Sequence, residues 1–376
     1  MKKLLKQFLE RESSSSIVLF AMTVIAIGWM NSPLRYFYEQ FVSQFLFVIN
    51  DGLMAIFFLL VGLELKRGFY EGELSSPAQI ILPIVAAIGG MLVPALIYIL
   101  LNYADPVNLK GWATPVATDI AFALGTLSLF GKRVPSALKL FLLALAIFDD
   151  IGAIIIIILF YSTGLSLLYL LLSILFILLL FILNWLAIRS WVPYIALGVL
   201  LWTSTLFSGI HPTIAGVVLA FFIPHHVDSA KSTMHSMEKF LQPWVAYFIM
   251  PIFALANTGF SLRNLSWDIF SSRIVLGIIF GLFVGKQIGV LGSIWLMIRL
   301  RLAKLPEQIT WLQLYGVAII CGIGFTMSLF LGTLSFQSNT FYLPQIRFGV
   351  LSGSILSGIM GVIILRFAFY SAKHEE

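Results

Sequence analysis

The sequence predicts an all-α integral membrane protein with twelve transmembrane helices. Three observations predict it. The 376-residue chain is 60% hydrophobic and 11% charged, where a soluble domain is about 25% charged. Its apolar residues gather into runs near the roughly 20 residues that a spanning helix needs. Two of those runs, the fourth and the eleventh, are broken by helix-disrupting residues, which a bilayer tolerates only where protein or a cavity satisfies the freed backbone.

The elements follow in order. Residues 1–13, opening "MKKLLKQFLE", are basic and amphipathic. No small-residue cleavage site follows a short apolar core, so this stretch reads as a retained cytoplasmic segment. Spanning runs are expected near 14–31, 45–66, 78–102, 108–130, 135–161, 164–187, 191–207, 209–223, 239–260, 273–299, 310–335 and 345–370. Ser208–Gly209 is a weak break between the seventh and eighth. The connections are mostly brief, and the longest clearly polar one is 224–240, so residues 1–376 form a single transmembrane domain.

Twelve crossings put both termini on one side. With the termini inside, seventeen of the 23 Lys and Arg residues fall inside, five fall outside and one, Lys286, lies within a span. Positive charge accumulates in cytoplasmic loops, so this bias supports both the count and the orientation. It also accounts for the net charge of +6 and removes the case for nucleic-acid binding. The single Cys321 excludes an intrachain disulfide framework.

Four ionisable residues fall well inside spans: Asp119, Asp149, Asp150 and Lys286. Each costs about 2.5–3.5 kcal/mol at a helix centre, and such residues pair, face a cavity or mark an ion path. The simplest reading of the stretch "LAIFDDIGAIIIIILFY" is a static salt bridge from Asp149 or Asp150 to Lys286. One lysine cannot neutralise three carboxylates, however. The surplus must take protons or hold a cation, and crowded carboxylates titrate as a coupled set. Adjacent helical residues project about 100° apart, so one aspartate can face water while the other turns to the lysine.

The fourth span reads "WATPVATDIAFALG". Pro115 removes a backbone donor and disfavours helix before it, and Thr114, Thr118 and Asp119 follow closely. The eleventh reads "GVAIICGIGFTMSLFLG", with Gly322 and Gly324 around one residue and Thr326 and Ser328 beyond. Either alone could be a kinked helix. As the middle members of spans three to five and ten to twelve, they point to a midplane transport site. Asp119 would offset facing helix N-ends, and Lys286 would offset facing C-ends. Thr118 could lend a hydroxyl, and unwound carbonyls could lend oxygens. Such donors suit Na⁺ or Li⁺, whereas one Cys and scattered His do not suit zinc or copper.

These motifs, with "VGKQIG" and "NDGLMAIFFLLVGLELKRG", resemble the NhaA family of bacterial sodium–proton antiporters over nearly the whole chain. The resemblance implies inverted-topology repeats, spans 3–5 and 10–12, with crossed, interrupted helices 4 and 11; the family is itself a known case of that architecture. It implies a core bundle of 78–161 and 273–370 in the bacterial inner membrane, with no cofactor and no enzymatic activity. It also implies electrogenic export of Na⁺ or Li⁺ for a larger number of protons. By motif, Asp150 resembles the family's essential ion-binding aspartate and Asp149 the partner of Lys286. Asp119 and Thr118 resemble the pair beside the ion. A cytoplasmic pH-sensing cluster would comprise Glu64, Lys66, Arg67, Glu238 and His211. The plainer readings are an interfacial salt bridge for Glu64 and a helix-cap histidine for His211.

Two features depart from the family pattern. Gly68 follows "KR" where the family has an acid, so the pH profile would differ. The first connection, "NSPLRYFYEQFVSQFLFVIND", is short for the β-hairpin that pairs familiar protomers, so a homodimer would rest on other contacts. Three rival readings remain: a sodium-coupled organic-anion carrier on a similar fold, an intramembrane aspartyl protease, and a passive cation channel.

Overall fold

The computed structural model describes residues 14–71, 77–162, 164–225, 232–262, 268–305, 309–337 and 339–371. The amphipathic segment 1–13 and part of the 224–240 connection lie outside them. The described residues form twelve main helical segments in the expected order, besides short helical turns at Gly131–Arg133, Asp268–Ser271 and Thr340–Tyr342. We label them α1 (Ser14–Met30), α2 (Arg35–Phe47, continuing through Val48–Leu53 into Met54–Glu71), α3 (Pro77–Asn102) and α4 (Pro106–Leu109 with Lys110–Ala113, then Ile120–Ser128). Next come α5 (Ser136–Phe160), α6 (Leu167–Trp185), α7 (Val192–Ser208), α8 (Ile214–Phe222) and α9 (Thr233–Trp244 through Val245–Ile249 to Met250–Thr258). The last are α10 (Arg273–Phe280 through Gly281–Gly285 to Lys286–Arg299), α11 (Trp311–Ile320, then Phe325–Ser335) and α12 (Leu343–Ser371). Among the described residues, seven continuous helices are long and apolar enough to cross a membrane, and α11 is a bent pair with a 43° break.

Local chemistry explains the ends. Asp105 caps the start of α4 by accepting from the Val107 N–H at 2.9 Å, with Pro106 in the first turn, where proline's missing donor does no harm. Thr310 and Gln313 form a reciprocal capping box at the start of α11. Gly209, at φ 86°, ends α7 in the left-handed region.

Several boundaries differ from the sequence expectation. α2 begins at Arg35 rather than near residue 45, so the stretch where the resemblance puts a hairpin is helical as far as Phe47. Its mixed polar and aromatic composition hid it from an apolar-run count. α9 begins at Thr233, inside the stretch taken as a polar connection. α8 begins only at Ile214, because His211–Pro212–Thr213 forms a turn ahead of it. α2, α9 and α10 each contain one π-helical turn, at Val48–Leu53, Val245–Ile249 and Gly281–Gly285.

The chain divides into two compact units. One comprises the described residues within Met1–Arg35, Glu73–Ala153 and Asn257–Glu376; the other those within Tyr36–Gly72 and Ile154–Ala256. In the first, α3 and α10 touch backbone to backbone at Gly89 and Gly289, where a Cβ on either would collide with the other's main chain. Small residues at such crossings let membrane helices pack closely. The second unit has a core of Leu59, Leu63, Leu180, Tyr194, Leu201 and Leu219. Its α6 and α7 share a Ser173–Ser204 hydroxyl hydrogen bond of 2.8 Å.

Candidate ion-binding site

The site is built where α4 and α11 lose their helical hydrogen bonds. Pro115 stops the first limb of α4, and residues 114–119 run unwound until Asp119, itself extended at φ −84°, ψ 103°, caps Ile120–Ser128. In α11 the break falls at Cys321–Gly324. The two breaks hold each other: Asp119 N–H donates to the Ile323 carbonyl at 2.7 Å, and the Thr118 hydroxyl donates to the Cys321 carbonyl at 2.9 Å. Close approach demands glycine on the α11 side. A Cβ at Gly324 would lie 2.9 Å from the Ala117 oxygen, and one at Gly322 would lie 2.5 Å from the Leu282 oxygen.

Asp119 sits between two helix N-ends, as its charge suggested. One carboxylate oxygen accepts from Phe122 N–H at 3.0 Å. The other accepts from Thr326 N–H at 3.0 Å and from the Thr326 hydroxyl. It therefore answers the positive ends of Ile120–Ser128 and Phe325–Ser335 together. Thr326 was visible in the sequence only as a polar residue near a break. Its partnership spans 207 positions, and only its place at a helix start in the matching half could have flagged it.

Asp149 and Lys286 meet. Lys286 Nζ donates to Asp149 Oδ2 at 2.7 Å, with both side chains fully buried. The same oxygen accepts from the Thr118 N–H at 2.7 Å. Asp149 Oδ1 accepts no hydrogen bond among the described residues. Lys286 is also within electrostatic range of Cys321, the residue that ends Trp311–Ile320, so the ion pair stands beside the expected helix C-end. Lys286 begins directly after the π-helical turn Gly281–Gly285, a distortion common at functional sites. Asp150 is 1% exposed, on the same helix and one residue on. Asp119, Asp149, Thr118 and Lys286 thus come together at the α4–α11 crossing.

The pH-sensing residues divide. Arg67 Nε lies 3.2 Å from Glu238 Oε1, and Glu64 is within electrostatic range of both. Lys66 does something else: its ammonium donates to the carbonyls of Phe221 at 2.7 Å and Ile223 at 2.5 Å, capping the C-end of α8. His211 is elsewhere. Its Nε2 is 3.4 Å from Asp51 Oδ1, and Asp51 lies thirteen residues before Glu64, about 20 Å along a helix. Its Nδ1 is 2.7 Å from the Thr213 hydroxyl. The structure thus removes His211 from the Glu64 cluster, because the turn ahead of α8 packs beside the π-helical turn in the middle of α2, away from the end that carries Glu64.

Two crossed, unwound helices around a buried carboxylate–ammonium pair define the class: a membrane ion transporter with broken helices. The family model described as Na⁺/H⁺ antiporter 1 matches residues 6–365. The chain is 47% identical to Na(+)/H(+) antiporter NhaA 1 of Magnetococcus marinus, over 98% of this chain and 99% of that one. It is 49% identical to Na(+)/H(+) antiporter NhaA 2 of Saccharophagus degradans, over 95% and 98%. With Na(+)/H(+) antiporter NhaA 1 of Pseudomonas putida the identity is 47%, over 98% and 97%. The chain belongs to the Na⁺/H⁺ antiporter 1 family.

Proposed function

We propose that this protein exchanges Na⁺ for H⁺ across the bacterial inner membrane, with both ions competing for Asp149 and Asp150. The antiport follows from family membership, and nothing in the family match or the named relatives points to an organic solute. The observation that carries the competition is Asp149 Oδ2, shared by an ammonium and a backbone N–H in a fully buried site. A buried carboxylate held this way can be neutral only with its lysine, with a proton or with a cation.

In the proposed cycle, Na⁺ or Li⁺ from the cytoplasm takes oxygens from Asp150, Asp149 and Thr118. Its charge displaces protons and releases Lys286 from Asp149. The core bundle, 78–161 and 273–370, then moves against the remaining spans. Na⁺ leaves outside, a larger number of protons bind, and the site returns, which makes the exchange electrogenic. Lowering the pH fills the carboxylates with protons and weakens apparent Na⁺ binding. The termini are cytoplasmic, on the strength of the positive-charge bias. The Arg67–Glu238 pair with Glu64, at the cytoplasmic end of α2 in that orientation, sets the pH at which exchange begins.

The test is proton movement in everted vesicles carrying the protein. Adding NaCl to a preformed pH gradient should collapse it, and Asp150→Asn should abolish the response. Full Na⁺-driven exchange by that variant would overturn the assignment of Asp150.

A further inference from the structure

We infer that a groove in the first compact unit binds an anionic phospholipid, with one acyl chain in the groove and the phosphate at a basic rim. The site lies apart from the ion-binding carboxylates and does not rest on the exchange of any ion. The groove has a volume of about 750 Å³ and is formed by α1, the second limb of α4, α11 and α12, with Phe260. Its walls include Val24, Leu129, Ile355 and Ile359, all more than half exposed. Its floor is the edge-to-face pair Phe122–Phe325, with centroids 4.9 Å apart. Those rings directly follow the two breaks at Asp119 and Gly324.

The groove is almost wholly apolar. The Thr23 hydroxyl is spent on the Leu19 carbonyl at 3.0 Å, and Ser354 Oγ accepts from the Phe325 N–H at 3.1 Å. Along α12 the groove runs from Phe348 to Ile363, about 22 Å of helix. That exceeds one leaflet of a hydrocarbon core about 30 Å thick, so it has room for an extended chain entering from one side.

Charge complementarity selects the headgroup. Lys132 and Arg133 follow Leu129 within four residues. Arg366 lies three residues beyond Ile363, on the same helix face. Phe130 and Phe369 pack at 5.2 Å, which brings these two helix ends together. All three cations are exposed, and no acidic side chain occurs in 120–140 or 343–370. An apolar slot closed at one end by three cations is the complement of an anionic phospholipid, and seating its chain on Phe122–Phe325 buttresses the helix crossing from outside.

The experiment uses the purified full-length protein with equimolar phosphatidylglycerol and phosphatidylcholine, read by native mass spectrometry and thermal unfolding. The wild type should retain phosphatidylglycerol at least about tenfold over phosphatidylcholine, and that lipid should raise its Tm. The variant K132Q/R133Q/R366Q changes only exposed side chains, and should lose both the preference and the Tm rise. Gly358→Leu grows into the groove, since a Cβ there meets only Ile323 Cδ1 at 3.7 Å, and should lower retention of both lipids. Equal retention of the two lipids by the wild type would overturn the site. So would an undiminished phosphatidylglycerol preference in the triple variant. A two-chain mass that Gly358→Leu reduces to one chain would assign the groove to a second copy and overturn the lipid.

Discussion

Asp119 and Asp149 are both buried carboxylates at one helix crossing, but they are held by different kinds of donor. Asp119 is satisfied on both oxygens by two backbone N–H groups and a hydroxyl. Neither N–H can leave without unwinding a helix end. Asp149 is held on one oxygen by the Thr118 N–H and by a lysine on a flexible four-carbon stem. The first arrangement is a clamp, while the second is a contact that can be exchanged. A carboxylate in a membrane is therefore not functional merely by being buried; the mobility of its partner separates the roles.

The comparison can be broken experimentally, and the largest effect belongs to Asp149. Asp149→Asn strands the Lys286 ammonium and should destabilise the protein by about 3–5 kcal/mol, measured by unfolding in detergent. The double variant Asp149→Asn with Lys286→Gln should recover most of that loss. If it does not, the pair is not the unit described. Asp119→Ala comes next, at about 2 kcal/mol, since it removes a cap and a charge from two helix ends. Unlike Asp150→Asn it should leave measurable Na⁺-driven exchange in vesicles, and complete loss would place Asp119 among the exchangeable carboxylates. Thr326→Val, which removes one hydroxyl donor, should cost about 1 kcal/mol in the same unfolding assay. Glu238→Gln breaks a partly exposed pair and should cost less than about 1 kcal/mol. Its effect should appear as a displaced pH–activity curve with an unchanged maximum, and a fall in the maximum at an unchanged midpoint would remove it from the pH response.

Much of this was legible in the sequence because a bilayer imposes one rule on every span. Apolar runs located the twelve helices, and Pro115 with Gly322 and Gly324 marked both interruptions. Asp149 and Lys286 stood out as charges that a membrane excludes unless paired. What stayed hidden was local or distant. The Arg35–Phe47 helix, read as a connection, carries Arg35, Glu39 and two glutamines, so no apolar run announced it. The Thr326–Asp119 contact and the placement of His211 by Asp51 depend on which helix ends meet, which composition cannot encode. The resemblance groups Lys66 with Glu64, yet a lysine stem can turn toward carbonyls on another helix, as it does at Phe221 and Ile223.

The wide turn at Gly281–Gly285 has a consequence for inheritance as well as for geometry. Upstream of it, Ile278 faces α12 at Gly349; downstream, Lys286 faces Asp149. The turn works as a phase shifter between two faces of one helix. Losing a single residue there would relax it to ordinary helix and leave everything beyond in nearly the same phase, because the wide turn already absorbs one extra residue. Losing one from the ordinary helix just upstream, within 274–280, would instead swing everything beyond by roughly 100°. Such a deletion changes no charged group and leaves an apolar helix still able to span. It would nonetheless point the lysine away from its aspartate, a null allele written entirely in isoleucine, valine, leucine, glycine and phenylalanine.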